Sequence, residues 1–138
     1  MPNSRKVFTN GCFDLLHEGH LDLLKFAKSK GDTLIVGLNS DSSVKRLKGP
    51  ERPIHSEDFR KKLLESIIYV DQVIIFQDDN PLDLILNTVP DILVKGGDYT
   101  PESVIGAKEV LSWGGDVLIY PLKENMSTTH IIEKIKQL

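Results

Sequence analysis

Gly11-Cys12-Phe13-Asp14-Leu15-Leu16-His17-Glu18-Gly19-His20 follows directly on a strand-like run, Lys6-Val7-Phe8-Thr9-Asn10, and opens a helix-like run. A strand-to-helix turn leaves the first N–H groups of the helix unpaired at the positive end of its dipole. Such a turn suits phosphate. Gly19 removes a side chain where a bulky anion would approach the backbone. His17 and His20 stand three apart, and helix positions three apart are neighbours, so both rings can face one side. One such histidine alone would read as a cap or a surface group; the whole string at this junction reads as a site.

Outward from this string, strand-like and helix-like segments alternate. The short β-branched runs predict buried strands at Lys6–Thr9, Thr33–Leu38, Gln72–Phe76, Ile92–Val94 and Val117–Tyr120. Apolar spacing and cap signals predict helices at Gly19–Lys30, Ser56–Tyr69, Pro81–Val89, Ser103–Trp113 and Thr128–Lys136. Asn39–His55 reads as a long polar loop, and long loops in small domains commonly carry function. The alternation predicts a Rossmann-like, five-stranded parallel α/β sheet with helices on both faces, as one domain over residues 1–138. Ligands of such sheets lie beyond the carboxyl ends of the strands, which is where the opening string falls.

Composition narrows the classes. The 138 residues suffice for one core, and 40% apolar with 27% charged residues is ordinary for a globular protein. A net charge of −3 offers no basic footprint for nucleic acid. Met1-Pro2-Asn3-Ser4-Arg5-Lys6 is not followed by a signal-peptide h-region, and no run of about 18 apolar residues predicts a membrane span. A single cysteine, Cys12, excludes an internal disulfide and makes a cytoplasmic location the expectation. Cys12 has no evident base, so it reads as a packing residue rather than a nucleophile. No P-loop string, no Gly-x-Gly-x-x-Gly fingerprint and no zinc spacing is present.

Three further segments carry candidates. In Met126-Ser127-Thr128-Thr129-His130-Ile131, three hydroxyls cluster where the last helix begins; Ser127 can cap it, and its free N–H groups can hold phosphate. Lys45-Arg46-Leu47-Lys48-Gly49-Pro50-Glu51-Arg52 places four cations in the long loop. Lys45 and Lys48 are the stronger candidates for a triphosphate, and Arg52 reads as a surface cation. Val94-Lys95-Gly96-Gly97-Asp98-Tyr99 leaves the fourth strand, where glycines admit a flat base or ribose and Asp98 can accept from a hydroxyl. Arg60 is a candidate for the substrate phosphate. Asp14 is read either as a substrate contact or as a residue holding its loop.

The opening string resembles the His-x-Gly-His signature of the cytidylyltransferase-like nucleotidyltransferase superfamily, and the likeness runs from about Lys6 to the last helix. Thr9-Asn10-Gly11-Cys12-Phe13-Asp14, Asn39-Ser40-Asp41, Arg52-Pro53, Lys95-Gly96-Gly97-Asp98-Tyr99 and Ser127-Thr128-Thr129 resemble the adenylyltransferase domain of bifunctional ADP-heptose synthases. The resemblance implies transfer of AMP from ATP to D-glycero-β-D-manno-heptose 1-phosphate, with the heptose kinase on a separate polypeptide and the chain as a homodimer. It implies that His17, His20, Lys45 and Lys48 act on the triphosphate. Asn10, Gly11, Phe13, Gly19, Lys95, Gly96, Asp98, Ser127, Thr128 and Thr129 would hold the nucleotide, and Asp14 and Arg60 the acceptor. Mg²⁺ would ride on the nucleotide phosphates, with no protein metal ligand assigned. Glycerol-3-phosphate cytidylyltransferase is the alternative, although Ile68 stands where that family often has arginine before Tyr69-Val70-Asp71. A non-catalytic nucleotide sensor is the second alternative.

Overall fold

The computed structural model describes residues 4–122 and 127–138. Met126, at the head of the last candidate string, lies outside the described residues. Five strands form one sheet: β1 (Lys6–Gly11), β2 (Thr33–Asn39), β3 (Gln72–Phe76), β4 (Ile92–Gly96) and β5 (Asp116–Tyr120). Six helices accompany them: α1 (Glu18–Lys28), α2 (Asp41–Lys48), α3 (Glu57–Glu65), α4 (Leu82–Thr88), α5 (Ala107–Ser112) and α6 (Thr128–Lys136). The strand order is β3-β2-β1-β4-β5 and all pairings are parallel. This is the doubly wound arrangement that the alternating pattern predicts.

Period-two alternation on buried strands divides the core into two layers. Val7, Leu34, Val36 and Leu38 pack with Leu23, Leu24 and Ala27 of α1 and Leu64 of α3. Phe8, Ile35 and Leu93 pack with Ile85 of α4 and with Ala107 and Val110 of α5. Phe8, Leu24, Leu34, Leu38 and Leu64 are fully buried. Helices therefore cover both faces. The sheet winds one way from β1 to β3 and the other way through β4 and β5, so the crevice opens at the carboxyl ends of β1 and β4.

Three boundaries differ from expectation. The first half of the presumed loop, Asn39–His55, is α2: Ser40 caps it, its Oγ accepting from Ser43 N at 3.1 Å, and Asp41 complements the dipole. Its apolar face is nearly reduced to Val44, so hydrophobic periodicity could not reveal it. Arg46 fastens α2 to the β3–α4 turn, donating from Nε to Asp79 Oδ1 at 2.7 Å and from Nη2 to the Gln77 carbonyl. The segment Ser103–Trp113 is broken into a 3-10 turn, Pro101–Ser103, and α5, because Gly106 at φ 90° starts the second helix. The segment Ser56–Tyr69 is helical only to Glu65, capped by Ser56 and ended at Ser66.

Candidate active site

A cavity of about 490 Å³ opens at the carboxyl ends of β1 and β4. Its wall contains Asn10, Gly11, Phe13 and Asp14 from the opening string, and Lys48 from the end of α2. Lys95 of β4 and the hydroxyl cluster Ser127, Thr128 and Thr129 complete that set. Segments more than a hundred residues apart in sequence thus meet around one space, as expected from their places at strand ends.

The turn after β1 is held in a costly backbone conformation. Phe13 and Leu15 adopt φ 47° and 50°, the left-handed region that non-glycine residues seldom enter. Hydrogen bonds to long-range partners hold it there. Asp14 is buried, and its carboxylate accepts from Ile54 N at 2.6 Å and His55 N at 2.9 Å. The Asp14 carbonyl accepts from Thr128 Oγ1, and the Cys12 carbonyl accepts from Arg60 Nη1 at 2.7 Å. Of the two readings of Asp14, the structure supports the one in which it holds the loop.

Arg60 is corrected outright as a substrate contact. Its side chain has no solvent exposure, and it donates to the carbonyls of His55, Cys12 and Asn39 and to Asp41 Oδ1. With these bonds made beneath the site, it organises the loops and is not available to a phosphate. Its burial against the Asn39–His55 segment could not be read from sequence, because burial of an arginine is rare enough to be a poor first guess.

The two histidines form a capping unit. His17 Nδ1 accepts from Gly19 N at 3.1 Å, and His20 Nδ1 accepts from His17 N at 3.2 Å. The rings stack at 3.8 Å between centroids. The start of α1 is therefore not the open row of N–H groups that the string implied: the imidazoles occupy two of them. Both Nδ1 atoms accept, so the hydrogen-bond network assigns the ring protons to Nε2. Neither ring is in the wall of the cavity; they adjoin it through Phe13, whose ring lies 5.2 Å from that of His20. Gly19 is buried within α1 and is also outside the wall.

Burial, reinforced by His17 and opposed by Asp14, brings the His20 pKa from the usual 6.5 to about 3. Burial also lowers that of His17. His20 is therefore neutral at physiological pH and can donate only from Nε2. The unfolded chain binds a proton at this ring below pH 6.5 while the folded chain refuses it until about pH 3. Stability then falls as pH drops through that window. Thermal unfolding between pH 7 and pH 4 should show a shallower loss in His20→Gln than in the parent protein; identical slopes would refute a neutral His20.

The cations separate into different roles. Lys48 is in the wall, whereas Lys45 is exposed on α2 outside it. The Lys95 pKa is lowered by burial, with Cys12 opposing and nearby Lys48 adding to the shift, and its Nζ lies 5.4 Å from the Tyr99 ring centre. Burial raises the Cys12 pKa against the pull of Lys48, Arg60, Arg52 and Lys95, which keeps the thiol protonated. Gly96 and Asp98 lie outside the wall: a side chain at Gly96 would meet Leu23 and Leu122, and Asp98 is exposed. Ser127 serves as the cap of α6, its Oγ accepting from His130 N at 3.0 Å, while still lining the cavity.

Sequence reasoning missed Asp79, Asn80 and Pro81, which line the cavity from the turn after β3. The rule that led to the other segments, ligands beyond strand carboxyl ends, would have found them. It also misjudged Arg52, which is not a surface cation: its side chain is 14% exposed and lines the cavity.

Among the described residues no helix is long and apolar enough to cross a membrane. The chain is 56% identical over 129 residues to the Bifunctional protein HldE of Trichlorobacter lovleyi, covering 94% of this chain and 26% of that protein. It is 55% identical over 132 residues to the Bifunctional protein HldE of Koribacter versatilis, covering 96% and 27%. The chain thus spans about a quarter of the length of the curated relatives it matches. The crystal structure of the lipopolysaccharide core biosynthesis protein from Thermoplasma volcanium superposes with a TM-score of 0.70 at 28% identity, covering 87% of this chain and 97% of that one. Pantothenate synthetase from Thermus thermophilus, at 18% identity and a TM-score of 0.65 over 99% of this chain and 66% of its own, shares the fold. The cytidylyltransferase-like family profile matches residues 8–134, from the first strand through the hydroxyl cluster into the last helix. The chain belongs to the cytidylyltransferase-like family of nucleotidyltransferases.

Proposed function

We propose that this chain transfers AMP from ATP to a sugar 1-phosphate, D-glycero-β-D-manno-heptose 1-phosphate, yielding ADP-heptose and pyrophosphate. The observation that carries the reading is the cavity at the switch point of the sheet, which gathers Lys48, Lys95 and three hydroxyls beside the histidine pair. The match to bifunctional HldE proteins supports the heptose branch.

In this reaction an oxygen of the sugar phosphate attacks the α-phosphorus, the bond to the β-phosphate oxygen breaks, and pyrophosphate leaves with the electron pair. The attacking oxygen is already anionic near neutral pH, so no general base is required. The work is positioning and neutralisation of charge. Lys48 and Lys95 supply positive charge, and Ser127 and Thr129 supply hydroxyl donors, while the Thr128 hydroxyl is already donated to the Asp14 carbonyl. His17 and His20 act as neutral Nε2–H donors to the phosphates, from a neighbourhood the wall reaches through Phe13. Lys45 stands one turn before Lys48 on α2 and adds long-range positive potential.

Mg²⁺ fits this donor set as a cation carried by the nucleotide. Among the described residues no group of three His, Cys, Asp or Glu side chains converges on one point, and the Asp14 carboxylate is taken by backbone N–H groups. Held by phosphate oxygens and water, Mg²⁺ would neutralise the triphosphate. The acceptor is itself phosphorylated, so a separate phosphorylating step, in our reading a heptose kinase on another polypeptide, supplies it.

Pyrophosphate release with Mg²⁺ tests the reading, using ATP, CTP, GTP and UTP against heptose 1-phosphate and glycerol 3-phosphate. Release with ATP and heptose 1-phosphate alone is expected. Release with CTP and glycerol 3-phosphate would overturn the assignment in favour of a glycerol-3-phosphate cytidylyltransferase. Nucleotide binding without release from any pair would make the chain a sensor.

A further inference from the structure

We propose that Arg52 binds the pyrophosphate end of the nucleotide, at the junction where the main cavity meets a second groove. The inference rests on the nucleotidyl-transfer reading above and adds a residue to it.

Two arginines of this protein are largely enclosed, and the fold treats them differently. Arg60 donates four hydrogen bonds to protein acceptors. Arg52, with a side chain 14% exposed, donates none from its guanidinium to any described residue, and its Nε is buried without a partner. Among the described residues the carboxylate paired with it is Asp14, whose Oδ2 is 3.8 Å from Arg52 Nε, beyond hydrogen-bond range. Both Asp14 oxygens already accept from Ile54 N and His55 N. Asp14 therefore balances the charge of Arg52 without using its donors. A guanidinium offers five N–H groups in a planar fork that matches phosphate. The buried, unpaired Nε–H is costly to leave so, and the rest of the fork is free to meet a ligand, so the arrangement calls for an anion.

The surroundings indicate which anion. A groove of about 300 Å³ runs between the residues after α2 and the outer side of α6. It shares three wall residues with the main cavity: Lys48, Arg52 and Thr129. The boundary between the two spaces is thus two cations and a hydroxyl. Further along, the wall adds one cation, Lys136, and two carboxylates, Glu51 and Glu133, so the excess of positive charge is at the junction. A lone sugar phosphate could use one such cation. Pyrophosphate carries more charge on two linked phosphates, and the groove provides room beyond the junction for the terminal one. Arg52 would then stabilise the charge that develops on the leaving group.

Calorimetric titration with inorganic pyrophosphate, with AMP and with heptose 1-phosphate tests this on the parent protein, Arg52→Lys and Arg52→Gln, with circular dichroism confirming the fold of each. Arg52→Gln should weaken pyrophosphate binding about tenfold or more and AMP binding less than about threefold, with Arg52→Lys recovering part of the loss. Pyrophosphate affinity unchanged within threefold would overturn the proposal. So would a loss confined to heptose 1-phosphate, which would place the acceptor phosphate at Arg52. Should Arg52→Gln fail to fold, the same comparison is read from Arg52→Lys, where a selective loss of more than about threefold in pyrophosphate affinity, or its absence, decides. A parent protein that binds neither ATP nor pyrophosphate would refute the nucleotidyl-transfer reading itself.

Discussion

Replacing His20 with alanine is expected to lower kcat about 100- to 1000-fold while KM for ATP changes less than about threefold. The expectation follows from where the ring is and how it is protonated. Its Nδ1 is taken by His17 N, its pKa is near 3, and its Nε2 carries a proton it cannot lose or supplement near neutral pH. Such a donor stabilises charge as it develops and adds little to ground-state binding. The pH profile provides a second readout: kcat should show no ionisation of His20 between pH 5 and pH 8, since the ring is neutral throughout. Both rings also cap α1, His20 through His17 N and His17, as the N-cap residue, through Gly19 N, so the melting temperature of each variant is measured alongside kcat. His17→Asn keeps a good capping side chain and removes the imidazole, so a large loss of kcat with an unchanged melting temperature would separate catalysis from capping. Near-normal turnover in His20→Ala would remove the ring from the transition state.

The second large effect is on stability. Arg60→Met is expected to destabilise the fold by about 3–5 kcal/mol, the range for removing one partner from a buried charged network. The loss is structural because the guanidinium satisfies the carbonyls of Cys12, Asn39 and His55, which belong to three separate segments. Without it these acceptors are left buried, Asp41 loses its partner, and the strained turn at Phe13 and Leu15 loses one of its supports. Thermal unfolding should register a fall of about 10 °C or more for a chain of this size. Arg60→Lys should recover little, since one ammonium cannot span acceptors that need a planar fork. A change in melting temperature under about 2 °C would show that the network is not what holds these loops.

Both predictions concern residues that sequence reasoning found and partly misread. His17 and His20 were legible because they stand three apart at a strand-to-helix turn. Their Nδ1 bonds were not, because these depend on rotamers chosen after α1 packs on the sheet. Arg60 reads as a cation near the site, yet its burial arises from the backbone at 12, 39 and 55 closing over it. Arg52 reads as a surface cation for the converse reason: a charge run along α2 and its exit gives no sign of which cation turns inward. The helix α2 was itself missed, since with Val44 as almost its only buried apolar residue it shows no amphipathic stripe. Its evidence was the Ser40-Asp41 cap, a local signal that was outweighed by the polar run.

By itself the sequence determined the layer order of this protein and the neighbourhood of its site. Period-two runs of β-branched residues, separated by helix-period segments, admit essentially a parallel sheet covered on both faces, and such a sheet places ligands at strand carboxyl ends. Tertiary structure alone decided which side chains at those ends face the cavity and which are consumed in holding it. Lys48 and Lys95 face it; Arg60 and the Asp14 carboxylate are spent on backbone groups; Arg52 keeps its donors free among the described residues. The reason is that secondary structure follows from local dihedral and burial preferences repeated along the chain. The assignment of a polar group, by contrast, depends on which distant carbonyl or N–H is left unpaired when the segments meet.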